Sequence, residues 1–231
     1  MGSEMCIRDS VTYFQQKDPH LFTVVKLEKN QGLGIALAIG LEHTKNRLVA
    51  RMDTDDIMEP QRLEKQLEIF QKDPEIAIVG SNIEEFTGTL SNVIGKRIVP
   101  EYNNAIRVFS KRRNPFNHMT VMFDKKAILE VGNYQPLSGF EDYYLWARLL
   151  KAGYKGYNIQ ETLVYARTGK DMYARRGGMK YLGSGLMGRY RIWKDGLGSV
   201  KDFIIVSCGH IFISLLPNQL RGKFYQTQLR K

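Results

Sequence analysis

The chain has 231 residues, with 34 Lys+Arg against 24 Asp+Glu and a formal net charge of +10. With 43% hydrophobic and 11% aromatic residues it can bury a core, which excludes wholesale disorder and fits one domain, or one domain with an appendage. The charge is unevenly spread: residues 1–166 hold 21 basic and 21 acidic groups, whereas residues 167–231 hold 13 basic and 3 acidic. A basic segment on a neutral body points to an anionic partner: a phosphate ligand, a membrane surface or a nucleic acid. The two cysteines, Cys6 and Cys208, supply neither a disulfide framework nor a Cys-based zinc site, and suit a reducing, cytoplasmic setting. No N-terminal apolar run resembles a signal peptide.

In chain order, the first ten residues, MGSEMCIRDS, do not share the pattern that follows and are read as a foreign leader, a cloning or sequencing remnant. LFTVVKLEKN (21–30) predicts a short strand, with β-branched Thr23, Val24 and Val25. NQGLGIALAIGLEHTKN predicts a Gly-bearing turn running into an apolar helix that ends near Asn46. LVARM predicts a short buried strand ending directly on DTDD, and Pro60 suits the first turn of the next helix. In QRLEKQLEIF, Leu63, Leu67 and Phe70 recur at helical spacing and predict the apolar face. PEIAIVGS predicts another strand, so residues 20–82 alternate strand and helix as a mostly parallel α/β sheet does. From 83 to 140 the pattern loosens into short strands, turns and basic loops such as KRRNPFNH. FEDYYLWARLLKAGY predicts a helix with Trp146, Leu149 and Leu150 inside and Gly153 at its C-terminal cap, and LVYAR a further strand.

Asp53, Asp55 and Asp56 stand at the carboxyl end of a predicted strand, the edge of an open α/β sheet where ligands bind. Three carboxylates in four positions repel one another, and a divalent cation relieves that repulsion. Mg²⁺ or Mn²⁺ held by one or two of them, with a substrate diphosphate completing its shell, fits the pattern; a solvated acidic turn capping the next helix is the alternative. Glu141 and Asp142 open a predicted helix, whose dipole stabilises a first-turn carboxylate such as Asp142 as the anion. Either can cap the helix, leaving the other to accept a proton. His118, after Asn-Pro-Phe-Asn, is a phosphate or acceptor contact or an ordinary hydrogen-bonding loop residue. Arg175-Arg176-Gly177-Gly178 joins bidentate guanidinium groups to a backbone that allows close approach, and reads as a phosphate site or a solvated basic loop.

Taken together, NQGLGIALAIGL, LVARMDTDDIMEPQRLEKQLEIF, IAIVGS, NPFNHMTVMFDKKAILEVGNY and GFEDYYLWARLLKAGY resemble the inverting family 2 glycosyltransferases of GT-A fold, in the family's order, over about residues 20–166. The resemblance implies an α/β, Rossmann-like sheet flanked by helices, a nucleotide-sugar donor (a UDP-sugar foremost) and Mg²⁺ or Mn²⁺. By position, it implies that Asp55 is the metal ligand, with Asp53 facing metal, ribose and diphosphate, and that Asp142 is the catalytic base. Asp56, His118, Glu141, Arg175 and Arg176 are the further substrate-binding candidates. The family's opening strand, helix and strand, which hold the nucleotide base, have no counterpart here: roughly 50 residues of an α/β unit. The expectation is therefore a partial GT-A domain over residues 11–166, with weak donor binding and an exposed apolar sheet edge.

Residues 167–231 form the basic appendage. Its longest uncharged stretch, Phe203–Leu220, centres on FIIVSCGHIFISLLP, shorter than the ~20 apolar residues of a spanning helix. Basic residues interleaved with Trp193, Phe203, Phe212 and Phe224 suit an anionic membrane surface; a helical hairpin packed on the domain is the alternative. No recognition motif for nucleic acid is present. The ending resembles the tails of capsule and exopolysaccharide glycosyltransferases. That resemblance implies a saccharide or undecaprenyl-diphosphate-linked acceptor at the cytoplasmic face of the membrane.

Overall fold

The computed structural model describes residues 2–169, 178–217 and 220. Its elements run α1 (Gly2–Lys17), α2 (Leu33–Glu42), β1 (Leu48–Ala50), β2 (Ile57–Met58), α3 (Arg62–Lys72), β3 (Ile76–Phe86), β4 (Val93–Arg97), α4 (Asn103–Ser110), β5 (Met122–Asp124), α5 (Lys125–Glu130), α6 (Glu141–Lys151), β6 (Lys155–Arg167), α7 (Gly178–Lys194) and α8 (Val200–Leu215). A single 3-10 turn, His118–Thr120, precedes β5.

The sheet is built around β3, an 11-residue strand buried along nearly its whole length. One edge of β3 pairs in parallel with β6, and the other pairs antiparallel with β5 and then β4. The path reads β1-β5-β3-β6-β2, with β4 on the side of β3. Only the β3–β6 pairing is parallel among the described residues, so the mostly parallel sheet expected from the sequence is in fact mixed. The reason lies beyond residue 82: β4 returns beside β3 through a short connection, which favours antiparallel pairing, and β5 joins the same edge antiparallel after α4 and the 3-10 turn.

Helices cover both faces. On one, Trp146, Leu145, Leu149 and Leu150 of α6 meet Ile78, Phe116 and Phe123, all essentially inaccessible. Burial of each such side chain contributes about 1.5–3 kcal/mol. On the other face, Phe70 packs on Val79, Met122, Ile159 and Leu163. Helix α6 ends as expected, with Ala152 as its C-cap and Gly153 at φ 97°, the left-handed conformation that glycine adopts without strain.

Three local expectations are corrected. Residues 21–27 form no strand; they run irregularly, with Leu21, Val24 and Val25 exposed. Strand β1 is a half-buried edge strand rather than a buried one, with β5 on one side. Its other side borders a groove of about 670 Å³ reached by His20, Leu21, Thr23, Val25 and Leu27. The third correction concerns α3, whose inward face carries Arg62, Gln66 and Phe70 while Leu63 and Leu67 are about 40% exposed. Gln66 Nε2 bridges the carbonyls of Val79 and Thr120, at 2.9 and 2.8 Å. Arg62 reaches the carbonyls of Arg51 and Val121 at 2.7 and 3.4 Å. Irregular backbone under the helix needs donors, and two polar side chains supply them.

Helix α1 runs unbroken through residue 10, and α7 and α8 form an antiparallel hairpin on α6.

Candidate active site

The acidic turn lies between β1 and β2, beside the C-terminal end of β6. Its entry is fixed from both sides: Arg51 N–H donates to Val121 O, and the Arg51 carbonyl accepts from buried Arg62. Burial lowers the Arg62 pKa to about 10, which leaves it protonated at neutral pH. The Arg51 guanidinium then grips both oxygens of Asp53, at 2.7 and 2.5 Å. From β6, Arg167 closes the turn: its N–H donates to Asp56 Oδ1 at 2.8 Å and its Nε to Asp55 O at 3.0 Å. The Arg167 side chain itself lies over the Phe86 ring.

The three aspartates thus have different situations. Asp53 is paired with an arginine. Asp56 is half-buried, and its Oδ2 has no hydrogen-bond partner among the described residues; burial foremost pushes its pKa up to about 6, against the pull of the Arg167 N–H. Asp55 is exposed and its carboxylate accepts no hydrogen bond among the described residues. A free carboxylate beside an orphaned buried oxygen suits a cation. No group of three or more His, Cys, Asp or Glu side chains is clustered for a metal among the described residues. A cation here would therefore take much of its shell from substrate phosphate and water, as Mg²⁺ commonly does.

Across from the turn, α6 presents Asp142 in its first turn. Asn114 Nδ2 donates to Asp142 Oδ2 at 2.6 Å, while Asn114 Oδ1 accepts from Phe116 N–H, which fixes the amide orientation. Glu141 instead turns back toward the backbone N–H groups of Gly139, Phe140 and itself, and burial raises its pKa. Glu141 also abuts α2: a Cβ on Gly34 would lie 3.0 Å from its Cγ and 2.8 Å from Gln135 O, so only glycine fits.

His118 stands between the two acidic groups. Its Nε2 meets Tyr134 Oη at 2.9 Å, and its ring packs edge-on against Trp146. Burial pushes its pKa down to about 4, while Asp142 and Asp53 raise it and Arg51 lowers it. The same burial raises the Tyr134 pKa, with Asp142 and Arg51 acting on it as well. His118 is thus a neutral hydrogen-bonding group at pH 7, in one electrostatic field with Arg51, Asp53 and Asp142.

Asp53, Asp55, Asp56, His118, Glu141 and Asp142 are therefore linked in one chain of electrostatic contacts, whereas Arg175 and Arg176 lie outside the described residues. The supporting residues Arg51, Arg62, Gln66, Asn114, Tyr134 and Arg167 were not singled out from the sequence as parts of a site. A charge ending each of the apolar runs LVA and LVYA, at Arg51 and Arg167, was the available signal.

The sequence of residues 7–134 matches the model of glycosyl transferase family 2. The chain is 41% identical over 224 residues to a glycosyltransferase of Haemophilus influenzae, covering 96% of this chain and 81% of that one. It is 40% identical over 205 residues to the UDP-Gal:alpha-D-GlcNAc-diphosphoundecaprenol beta-1,3-galactosyltransferase of Escherichia coli, covering 89% of this chain and 74% of that one. The fold is similar to that of the mannosyltransferase PcManGT of Pyrobaculum calidifontis, solved with GDP-Man and Mn²⁺. That match has a TM-score of 0.56 and 15% identity, covering 96% of this chain and 71% of the other. The architecture is accordingly the GT-A fold, an α/β fold with a mixed sheet. The chain belongs to glycosyl transferase family 2.

Proposed function

We propose that this transferase moves a sugar from a nucleoside-diphosphate donor, a UDP-sugar, to a saccharide or undecaprenyl-diphosphate-linked acceptor in bacterial surface polysaccharide synthesis, with inversion at the anomeric carbon. The observation that carries the reading is the pairing of Asp142, anchored by Asn114 through one oxygen only, with the aspartate turn on the other side of His118. The activity for which the Escherichia coli relative is named supports the donor and the lipid-linked acceptor.

Asp142 removes the proton of the acceptor hydroxyl with its second oxygen. The acceptor oxygen bonds to the anomeric carbon as the bond to the diphosphate breaks on the opposite face, which inverts the centre. Arg51 and Arg167 hold the aspartate turn so that Asp53 and Asp55 face the leaving diphosphate, and Asp56 completes the pocket wall. Mg²⁺ or Mn²⁺, when held by Asp55 with Asp53, supplies positive charge to the departing nucleoside diphosphate. Neutral His118 donates or accepts a hydrogen bond to substrate without adding charge. Arg175 and Arg176 belong to this reading as phosphate contacts. So does a place on the cytoplasmic face of the membrane, where a lipid diphosphate is presented.

A second reading is favoured by the groove along the outer side of β1, where no strand pairs among the described residues. In that reading residues 11–166 are a partial domain that binds donor weakly, and the chain acts as a membrane-associated binding module. Calorimetry with UDP and UDP-sugars, with and without Mn²⁺, decides between them. The first reading expects Mn²⁺-dependent binding that Asp55→Ala abolishes. Absence of binding in the wild type contradicts it, and equal binding by both proteins contradicts the role given to Asp55.

A further inference from the structure

Helix α8 is built inside out. Its buried face includes Asp202, Ser207, His210 and Ser214. Its solvent face carries Val200, Ile204, Ile205, Ile211, Phe212 and Leu215, each 38–65% exposed. A surface helix of a globular domain does the reverse.

The orientation is pinned by specific contacts rather than by loose apolar packing. His210 meets Tyr181 O at 3.2 Å, and Gly185 of α7 makes room for it, since a Cβ there would come within 1.8 Å of the ring. Arg189 Nε donates to Val206 O at 3.1 Å. At the N-terminus, Ser199 and Asp202 form a reciprocal cap, and Arg112 of the domain donates to Asp202 at 2.6 Å. These bonds, the Ser199 ones first, hold the Asp202 carboxyl well below the usual range. Rotating α8 to bury its isoleucines would break its contacts to Tyr181, Arg189 and Arg112.

We infer that the outward face of α8 is embedded in the plane of an anionic lipid bilayer, and that the hairpin thereby fixes the distance of Asp142 from the membrane. This deepens the membrane part of the proposed function and rests on it. Three observations select the bilayer over other occupants. Residues 167–231 carry 13 basic groups against 3 acidic, and Lys201, next to Val200 at the start of α8, is exposed, as are Arg191 and Lys194 of α7. A second copy would bring the same basic surface against itself, whereas anionic headgroups neutralise it. Finally, 16 residues make a helix about 24 Å long, short of the ~30 Å hydrocarbon core, and no described helix is long and apolar enough to cross a membrane. An in-plane helix instead sinks its apolar face about 5–10 Å into the headgroup boundary. The link to the site is direct: the Phe140 ring fills the notch at Gly188 of α7, and Tyr144 Oη of α6 donates to Asp195 at 2.6 Å.

The test is sedimentation with phosphatidylethanolamine–phosphatidylglycerol vesicles at low salt. It compares the wild type with an Ile204→Glu, Phe212→Glu variant whose helicity is checked by circular dichroism. Alongside, a Cys6→Ser chain carries a bimane on exposed Cys208, read with doxyl-labelled lipids. The inference expects the wild type to pellet, the variant to partition at least about tenfold more weakly, and the bimane to be quenched from within the bilayer. If both proteins pellet equally and the bimane stays in water, the role of α8 is overturned while the membrane reading stands. If the wild type does not pellet, or pairs with itself through this face, both fall. Donor binding in solution is unaffected by any of these results.

Discussion

Asn114 Nδ2 donates to Asp142 Oδ2 at 2.6 Å, and the Asn114 carbonyl in turn accepts from Arg97 at 2.7 Å. The loop between α4 and β5 thereby holds one oxygen of the base and leaves the other for substrate. Asn114→Ala removes that restraint without touching the aspartate turn. Its kcat is expected to fall about tenfold, the equivalent of one hydrogen bond to a charged group, with the donor Kd unchanged. Asn114→Asp sets a like charge beside Asp142 and is expected to move the acidic limb of the kcat–pH profile upward. An unaltered profile in both variants would show that Asn114 does not position the base.

The polar underside of α3 predicts an unusual stability pattern. Arg62 and Gln66 are almost fully buried and donate to four backbone carbonyls between them, of which Val121 O also accepts from Arg51 N–H, so truncating either removes interior hydrogen bonds. Arg62→Ala and Gln66→Ala are each expected to cost about 2–4 kcal/mol of unfolding free energy, whereas Leu63→Ala and Leu67→Ala cost about 1 kcal/mol or less. Urea denaturation of the four variants checks the order. Larger losses at the leucines would contradict the orientation of α3.

That inversion marks where sequence reading stopped. Periodicity places apolar residues at helical spacing, but it cannot tell which face meets the sheet when the backbone beneath is irregular and calls for donors. The same limit applies to the sheet. The alternation from α2 to β3 was legible as α/β, although the strand expected at 21–30 is absent, and the mixed pairing depends on β4, β5 and β6, whose partners are set by tertiary closure. Helix α6 was legible throughout, because Trp146, Leu149, Leu150 and the Gly153 cap are local signals. Asp53, Asp55, Asp56, Glu141 and Asp142 could be singled out as candidates because carboxylates at strand and helix ends carry a chemical reason, while the choice of Asp142 over Glu141 rested on the family resemblance. The site's scaffold of Arg51, Asn114 and Arg167 was not legible, because a polar residue's partner across the fold leaves no local pattern.

His118 makes stability depend on pH in a defined window. Burial depresses its folded pKa to about 4, below the ordinary 6.5, so the folded state binds fewer protons than the unfolded state between those values. This contribution is fully present above pH 6.5 and is lost as the pH falls through about 4, amounting to on the order of 3 kcal/mol. His118→Gln is expected to flatten the loss of melting temperature between pH 6.5 and 4 relative to the wild type. Parallel melting curves for the two proteins across that interval would contradict a buried neutral imidazole.

The most direct measurement of the central claim is product formation from a UDP-sugar and an undecaprenyl-diphosphate saccharide in the presence of Mn²⁺. It compares the wild type with Asp142→Asn and reads the anomeric configuration of the product by NMR. The account predicts that the wild type converts an α-linked donor into a β-linked product. Asp142→Asn should bind donor with unchanged affinity and lose activity by at least about a hundredfold. Retained configuration in the product, or full activity in Asp142→Asn, would contradict it.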